Sequence, residues 1–541
     1  MKKRLIAILL AASMVLTLAA CGKAPASKDN GKSESGTATQ EAAPEVGEED
    51  EAAAPEADLD PVTLKMYLCG NDVKDDSKVM EELNKLLQEK INVTLEPIWE
   101  TWGYGEEVVL SLQGGEDIDI YFTCSWTENE YNKFARDGYY VRLDDPNNNL
   151  IEKYASELWS ALPEVLTHTG ASVNGAEGYG VYAVPGYKDI ATQNCWDINV
   201  PLLEKYGYTL DDIRNTDYYG FGDILQTVKD GEGADFYPLL VEGAVLERMV
   251  TNSIIVTGDS GTGNFMSYYL DPDDVSRESS YGITLLNKYA TDEFAEFAAQ
   301  TREYFLNGFI DPACSNTNQA NEIRTAKQNT GEYLIGTQSY SLGYELQATQ
   351  ERGFEVAMIP CTDPYVDTTS AQGAMMAIST ASKNPERAMM FLNLLNTDPE
   401  VMTLMNYGVE GVHYNLTEDG CVEFTEERDN FKPWTNGVGN VTILPPTAEQ
   451  GAGFWDTFTS YYGNAKEIPI LGFAYDGSGV ETEMSAVANV VEEYLLPLCT
   501  GAVDPAEKLP EFLNKLEQNG VNTVLDDANA QLQSFMESKG K

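Results

Sequence analysis

Few side chains in this sequence are of the types most often used in catalysis. Its 541 residues contain only two histidines, His168 and His413, which stand far apart, and none of the motifs H-E-x-x-H, G-x-x-x-x-G-K-[ST] or G-x-S-x-G. A zinc hydrolase, a P-loop nucleotide site and an α/β-hydrolase are therefore not indicated. We predict no catalytic residue, no metal and no cofactor.

Two weaker signals in the sequence could indicate an enzyme. The stretch "GDSGTG" at 258–263 is similar to the nucleophile segment of chymotrypsin-like proteases, but those proteases need a histidine base and an all-β fold, so a Gly-rich turn is the better interpretation. The 87 acidic residues supply many carboxylate pairs. Sequence spacing does not fix the separation of roughly 5 to 10 Å that glycoside hydrolysis needs, so a surface glycosidase stays open as an alternative.

The aromatic residues are more informative. Trp99 and Trp102 lie in "PIWETWGY", just past a predicted strand, and Trp126 ends the strand-like "IYFTCSW". A flat ring at such a position can stack on the apolar face of a sugar while neighbouring polar side chains bond its hydroxyls. Packing in the core is the alternative for each of these rings. Trp159, in a helix-like run, is assigned to the core.

Hydrophobic periodicity predicts an α/β fold that would position these rings. Strand-like segments at 61–70, 92–99 and 117–126 alternate with helical patterns at 77–91 and 106–115. Such alternation favours a parallel sheet, with a ligand face at the carboxyl ends of its strands. Further helices are expected at 285–309, after Asn384 and Asp398, and through most of the C-terminal part; 178–187 is expected to be a strand and 197–208 a helix.

The N-terminus has the layout of a secretory signal. A charged start is followed by the apolar "LIAILLAASMVLTLAA" and then by Cys21. The run is shorter than the roughly 20 apolar residues that span a bilayer. "LAAC" at 18–21 resembles the lipobox of bacterial lipoproteins, which implies cleavage after residue 20 and lipidation of Cys21; an ordinary signal peptide is the alternative. Residues 21–60, poor in large apolar side chains, are predicted to be a disordered acidic tether.

Charge and cysteine content limit the partners. The net charge of -52 makes nucleic acid an improbable partner and leaves membrane contact to the anchor. Lipidation of Cys21 would leave seven cysteines, scattered without a C-x-x-C pair. This spacing suggests neither a zinc ribbon nor a thioredoxin motif, and buried thiols are the expected explanation.

With these features, the chain resembles the extracellular solute-binding lipoproteins of bacterial ABC importers. The resemblance rests on the lipobox and tether, on "GYGVYAVPGY" with "CWDINVPLLEKYGY", and on the segment 375–414. Residues 470–505 are similar to the DUF3502 domain of the LipO-like subgroup. Two departures leave the ligand open: the family more often has Phe at the position of Tyr475, and scattered cysteines are unusual in it.

The resemblance implies a periplasmic-binding-protein-like fold, with two α/β lobes joined by a multi-segment hinge and a ligand cleft between them. Lobe 1 is expected to comprise 61–185 and 335–390, and lobe 2 to comprise 186–334 and 391–541, of which 470–541 is the DUF3502-like helical part. The chain is expected to cross between lobes near 183–190, 331–340 and 380–395.

The family also places ligand contacts in particular loops. For Glu410, His413, Tyr414 and Asp476, a structural hydrogen-bond network is the alternative to ligand contact. The residues that match the family's contact positions are Trp99, Trp102, Trp126, Tyr340, Glu410, Tyr414 and Asp476.

The function implied is capture of a carbohydrate, expected to be an oligosaccharide, and its delivery to the permease subunits of an ABC transporter. The protein is expected to act as a monomer, moored by its lipid anchor to the outer face of the cytoplasmic membrane of a Gram-positive cell. It would perform no chemistry. A peptide or another oligomeric nutrient is the alternative ligand.

Overall fold

The computed structural model describes residues 59–101, 105–241, 243–315 and 320–540. Cys21, the predicted signal and nearly all of the predicted tether therefore lie outside the described residues, as does Trp102. Residues 58–541 form one compact unit. None of the helices in the described ranges is long and apolar enough to cross a membrane.

The described part of the chain is mixed α/β. Its strands are β1 (Val62–Leu68), β2 (Asp72–Val73), β3 (Val93–Trp99), β4 (Ile120–Thr123), β5 (Ser172–Gly175), β6 (Gly178–Val181), β7 (Val184–Pro185), β8 (Asn194–Asn199), β9 (Ser253–Ile255), β10 (Met266–Tyr269), β11 (Leu286–Asn287), β12 (Ile335–Ser339), β13 (Val356–Pro360), β14 (Tyr365–Val366), β15 (Met375–Ile378), β16 (Tyr414–Leu416), β17 (Val422–Phe424), β18 (Phe431–Lys432) and β19 (Lys466–Glu467). Its α-helices are α1 (Ser77–Ile91), α2 (Gly105–Gly114), α3 (Tyr131–Arg136), α4 (Leu150–Tyr154), α5 (Ser156–Ala161), α6 (Val200–Lys205), α7 (Leu210–Arg214), α8 (Gly222–Glu232), α9 (Gly243–Thr251), α10 (Asp292–Leu306), α11 (Ala320–Thr330), α12 (Tyr344–Arg352), α13 (Thr368–Ala371), α14 (Pro385–Thr397), α15 (Pro399–Tyr407), α16 (Phe454–Gly463), α17 (Glu481–Cys499), α18 (Pro505–Gln518) and α19 (Val521–Ser538).

The first sheet has the strand order β3-β1-β4-β15-β7. Strands β1, β3 and β4 are parallel, as the alternation of strands and helices predicts, while β15 runs antiparallel to β4 and to β7. Helix α1 covers it with the buried side chains Val79, Leu83, Leu87 and Ile91, one apolar stripe at helical spacing. Replacing Leu83 by Ala would cost about 2 to 5 kcal/mol of stability. Because β1, β3 and β4 run parallel, their carboxyl ends lie at the same edge of the sheet.

The second sheet, β12-β8-β13, is antiparallel throughout. Its central strand carries a fully buried carboxylate, Asp197, which accepts hydrogen bonds from Arg352 Nη1 at 2.8 and 3.0 Å and from the Tyr333 hydroxyl at 2.7 Å. A buried charge is tolerated when it is paired and hydrogen-bonded in this way. The prediction that residues 197–208 form a helix is wrong at its start, because 194–199 pair with strands on both sides and α6 begins only at Val200.

The helix predicted at 285–309 is also shorter in the structure. Residues 286–287 pair with β10, and α10 begins at Asp292, where the Thr291 hydroxyl accepts a hydrogen bond from Phe294 N and caps the helix. The two helix starts after Asn384 and Asp398 are confirmed, each with proline at the first turn. Of the two, only Asp398 caps its helix through its side chain.

Strand pairing contradicts part of the predicted lobe division. Strands β12 and β13 fall within 335–390, assigned to lobe 1, yet they hydrogen-bond to β8 of lobe 2. Conversely, α15 and β18 fall within 391–541, assigned to lobe 2, yet Asp398 at the start of α15 pairs with Lys90 of α1 at 3.0 Å, and β18 pairs with β2. Between the two sheets the chain runs through 186–193 and again through 361–374, whereas the crossings between lobes are predicted near 183–190, 331–340 and 380–395.

Candidate functional site

An aromatic face stands at the edge where the parallel strands end. Strand β4 ends at Thr123, and three residues later the Trp126 side chain is 47% exposed. Its ring centroid lies 6.0 Å from that of Trp434 and 6.1 Å from that of Phe122, and Trp434 and Phe122 are 5.6 Å apart. The Trp126 indole N–H donates to the Gly373 carbonyl at 3.1 Å, which orients the ring. A large, oriented and half-exposed ring of this kind offers a stacking surface.

Trp99 belongs to the same edge but is less available. As the last residue of β3, it donates its indole N–H to Asp76 Oδ2 at 2.8 Å and meets the Phe431 ring edge-on at 5.7 Å. The Trp434 backbone N–H donates to Asn71 Oδ1 at 2.9 Å, and Asn71 follows β1. Trp99 ends β3, Trp126 follows β4 and Trp434 is bonded to the segment after β1, so all three tryptophans belong to the edge where the parallel strands end, as the rule for parallel sheets predicts.

A polar cluster on the crossing segments joins this edge to the second sheet. A Cβ atom built on Gly373 would lie 3.2 Å from Lys188 Nζ, so the ammonium group sits next to the glycine that holds Trp126. Lys188 Nζ lies 2.5 Å from Asp189 Oδ1, and Asp189 Oδ2 accepts a hydrogen bond from the Ser341 hydroxyl. Both charged side chains are largely buried, which strengthens their mutual attraction.

A pair of tyrosines lies at the end of the second sheet. Tyr340 follows β12, and its ring centroid is 6.3 Å from that of Tyr461. The Tyr461 hydroxyl donates to Gln193 Oε1, and Gln193 in turn bonds Thr362 O at 2.6 Å. Burial raises the pKa of both phenols, and the nearby Glu345 carboxylate raises the pKa of each further. Both hydroxyls therefore stay protonated near neutral pH; that of Tyr461 donates to Gln193 and can accept a further hydrogen bond.

The structure places Glu410 and Tyr414 at a different surface. Exposed Glu410 and buried Tyr414 line a groove of about 620 Å³ between α1 and α15, together with Leu86, Leu404 and Leu416. No residue of this groove takes part in the contacts of Trp126, Lys188 or Tyr340 described above. Burial raises the pKa of Tyr414, with a further contribution from Glu410.

Asp476 contacts both helix α3 and helix α19. Its Oδ1 atom lies 3.4 Å from Arg136 Nη1 of α3 and accepts a hydrogen bond from Ser478 N at 3.0 Å, while its backbone is bonded on both sides by Gln531 of α19. His413 lies behind the aromatic edge, 5.6 Å from the Phe431 ring, and accepts a hydrogen bond from Val409 N at 3.0 Å through Nδ1. Both residues thus serve structural hydrogen-bond networks.

Sequence reasoning did not find Trp434, the Lys188–Asp189 pair or Tyr461. The one signal for Trp434 is its setting in "KPWTNG", where an aromatic ring stands between Pro433 and Gly437 in a turn. Nothing in the local sequence marks Lys188 and Asp189, because their role depends on contacts with residues 341 and 373, far along the chain.

The "GDSGTG" segment does not form a protease-like site in the described residues. "GDSGTG" forms a turn in which Asp259 is fully buried and accepts hydrogen bonds from Thr262 and, at 2.8 Å, from Met266 N; burial raises its pKa to about 8. Neither histidine contacts Ser260 in that turn. Within the described ranges no group of three residues could hold a metal ion, and Cys124, Cys195, Cys314, Cys361, Cys421 and Cys499 carry free thiols.

Comparison with known proteins confirms the resemblance and the fold. Residues 469–537 match the family model "Domain of unknown function (DUF3502)". The chain is 25% identical over 489 residues to a "Carbohydrate ABC transporter substrate-binding protein" of Streptococcus pneumoniae, covering 89% of this chain and 92% of that protein.

Solved structures agree. The N-glycan transport solute-binding protein NgtS from Streptococcus pneumoniae matches with a TM-score of 0.73 at 25% identity over 89% of this chain and 100% of the other; its complex with Man5GlcNAc matches with a TM-score of 0.69, also at 25% identity, over 89% and 99%. The alginate-binding protein AlgQ2, 16% identical with a TM-score of 0.58 over 88% of this chain and 99% of the other, shares the fold. The chain thus has the solute-binding-protein fold.

Proposed function

We propose that this chain, similar over most of its length to the substrate-binding proteins of carbohydrate ABC importers, captures an oligosaccharide at the surface of the cell and delivers it to the permease. The observation that carries the proposal is the half-exposed Trp126, set against Trp434 at the carboxyl edge of the first sheet. A bound glycan on the structurally similar protein supports the choice of ligand class.

The aromatic edge at Trp126 and the tyrosine pair at the second sheet would both contact the ligand. Sugar rings present an apolar face of C–H groups and a rim of hydroxyls, so a stacking ring and a set of donors and acceptors are both needed. Trp126 offers the first, and the phenol hydroxyls, Lys188, Asp189 and Ser341 offer the second. Both edges touch the ligand only when the lobes close, and this differential contact would shift the population towards the closed form.

The remaining features of the proposal concern location and partners. We expect lipidation of Cys21 to hold the protein at the outer face of the membrane as a monomer, with its tether leaving residues 59–541 free to reach the permease. We also expect binding without hydrolysis. Globomycin, which blocks cleavage of lipoprotein signals, should leave the precursor uncut; processing that continues in its presence would reject the anchor.

Titration with oligosaccharides tests the function. Tryptophan fluorescence and calorimetry would be followed while Man5GlcNAc, kestose, maltoheptaose and, as a non-sugar probe, pentaalanine are added to the purified chain. We expect at least one oligosaccharide to bind with a change in fluorescence and to be recovered intact by chromatography. Binding of pentaalanine alone would favour the peptide alternative, shortened sugars would favour a glycosidase, and no binding by any sugar would contradict the proposal.

A further inference from the structure

We propose that the site selects uncharged oligosaccharides and rejects those that carry carboxylates, such as uronates and sialylated glycans. This inference rests on the proposed function and goes beyond it by naming the chemical class of the ligand. It comes from the charges that the structure places around the aromatic edge and the tyrosine pair.

Three lysines of the site are already held by carboxylates. Lys188 lies 2.5 Å from Asp189, and Lys432, two residues before Trp434, lies 2.5 Å from Asp429. Lys74, on the loop after β2, lies 3.6 Å from Asp72. An anionic sugar would therefore have to compete with an existing ion pair for each of these ammonium groups, whereas a hydroxyl can bond the pair without breaking it.

Two carboxylates of the site have no cationic partner. Glu345, in the first turn of α12, acts electrostatically on Tyr340 and Tyr461, and its buried Oε2 atom has no hydrogen-bond partner. Glu100 directly follows Trp99 and, after burial, is the largest cause that raises the pKa of Tyr67 to about 12. No described lysine or arginine lies within ion-pair distance of Glu345 or Glu100. Each edge therefore has a carboxylate that no described ion pair neutralises.

Between 59 and 540 the sequence positions outside the description are Trp102, Gly103, Tyr104, Glu242 and the polar run 316–319, none of which carries a positive charge. The whole chain carries a net charge of -52, which adds a long-range repulsion of the same sign. A carboxylate on the ligand would meet like charges and lose hydration without gaining a partner.

A matched set of ligands tests the inference. The oligosaccharide that binds most tightly among Man5GlcNAc, kestose and maltoheptaose would be oxidised at its primary hydroxyls to carboxylates, and part of that product would then be methyl-esterified. All three forms share one backbone, and calorimetry would give each dissociation constant at low and high salt. We expect the oxidised form to bind at least about tenfold more weakly, and the uncharged ester to recover most of the loss. High salt should reduce the difference in dissociation constant between the oxidised and the parent sugar.

The outcomes separate the two proposals. Equal binding of the oxidised and parent sugars would overturn the selectivity, and so would a loss that the methyl ester shares in full, because size rather than charge would then be the cause. If no parent sugar binds, the proposed function itself fails. Replacing one site carboxylate, in Glu345→Gln or Asp189→Asn, should narrow the gap between oxidised and parent sugar; the exposed Glu517→Gln on α18 is the matched control and should leave it unchanged.

Discussion

The two edges of the site differ in chemistry. At the first sheet, Trp126, Trp434 and Phe122 pack against one another, and the indole N–H of Trp126 is used to orient its own ring. At the second sheet, Tyr340 and Tyr461 keep protonated hydroxyls beside a carboxylate and an amide. The first edge therefore offers contact area, and the second offers hydrogen bonds. We infer that the first contributes more to affinity and the second more to selection among sugars.

Removal of the exposed ring should have the largest effect. Trp126→Ala deletes the stacking surface, and we expect oligosaccharide affinity to fall by about tenfold to a hundredfold, since stacked or hot-spot aromatic rings contribute about 1 to 3 kcal/mol. Calorimetry on the tightest-binding sugar measures this. Trp159→Phe, in a helix packed on the core, is the matched control and should bind as the parent does. An unchanged affinity in Trp126→Ala would place the ligand elsewhere.

A smaller effect is expected at the tyrosine edge. Tyr461→Phe keeps the ring against Tyr340 but removes the hydroxyl that donates to Gln193. The same oxygen can accept a hydrogen bond from a sugar hydroxyl, and since such a bond contributes about 1 kcal/mol, affinity should fall about fivefold. The ranking of the tested sugars should change more than it does in Trp126→Ala. If Tyr461→Phe loses as much affinity as Trp126→Ala, the inference that the first edge contributes more to affinity than the second is wrong.

The smallest predicted effect is a dependence of stability on pH, which comes from His413 behind the first edge. Burial lowers the pKa of His413, and the Arg428 and Lys78 charges lower it further. The unprotonated ring accepts the Val409 N–H, so the folded state disfavours the proton that the unfolded chain binds near pH 6.5. The free energy of unfolding should therefore fall as pH drops below about 6.5, by less than about 1.4 kcal/mol per pH unit.

Denaturant titrations at pH 7 and 5 would measure this dependence. His413→Gln should reduce the difference between the two pH values, while His168→Gln, on an exposed histidine, controls for the loss of an imidazole. Loosening behind Phe431 should disturb Trp99 fluorescence before any change near Tyr461. A pH dependence that His413→Gln leaves intact would assign it to other groups.

Local patterns predict the first edge well and the second poorly. The parallel strands β1, β3 and β4 follow one another closely in sequence, so periodicity alone predicts that Trp99 and Trp126 stand at a common edge. The second sheet pairs 194–199 with 335–339 and 356–360. Pairings over more than a hundred residues leave no periodic signal, which is why the lobe boundaries were wrong there.

The same reason explains the missing site residues. Trp126 bonds Gly373, which is 247 residues away, and the neighbouring Lys188 and Asp189 acquire their role only through that fold. Glu410 and Tyr414 were expected at the site from the resemblance alone. In the structure they line a separate groove. Within the segment 408–414, the Tyr414 side chain faces this groove beside α1, while the His413 side chain faces Phe431.

A crystal structure of the chain with its tightest-binding oligosaccharide is the most direct test of the central claim. We expect a sugar ring stacked on Trp126, with hydroxyls within hydrogen-bond distance of the Lys188–Asp189 pair and of a tyrosine at 340 or 461. A sugar bound instead in the groove between α1 and α15, with Trp126 still exposed, would contradict the account.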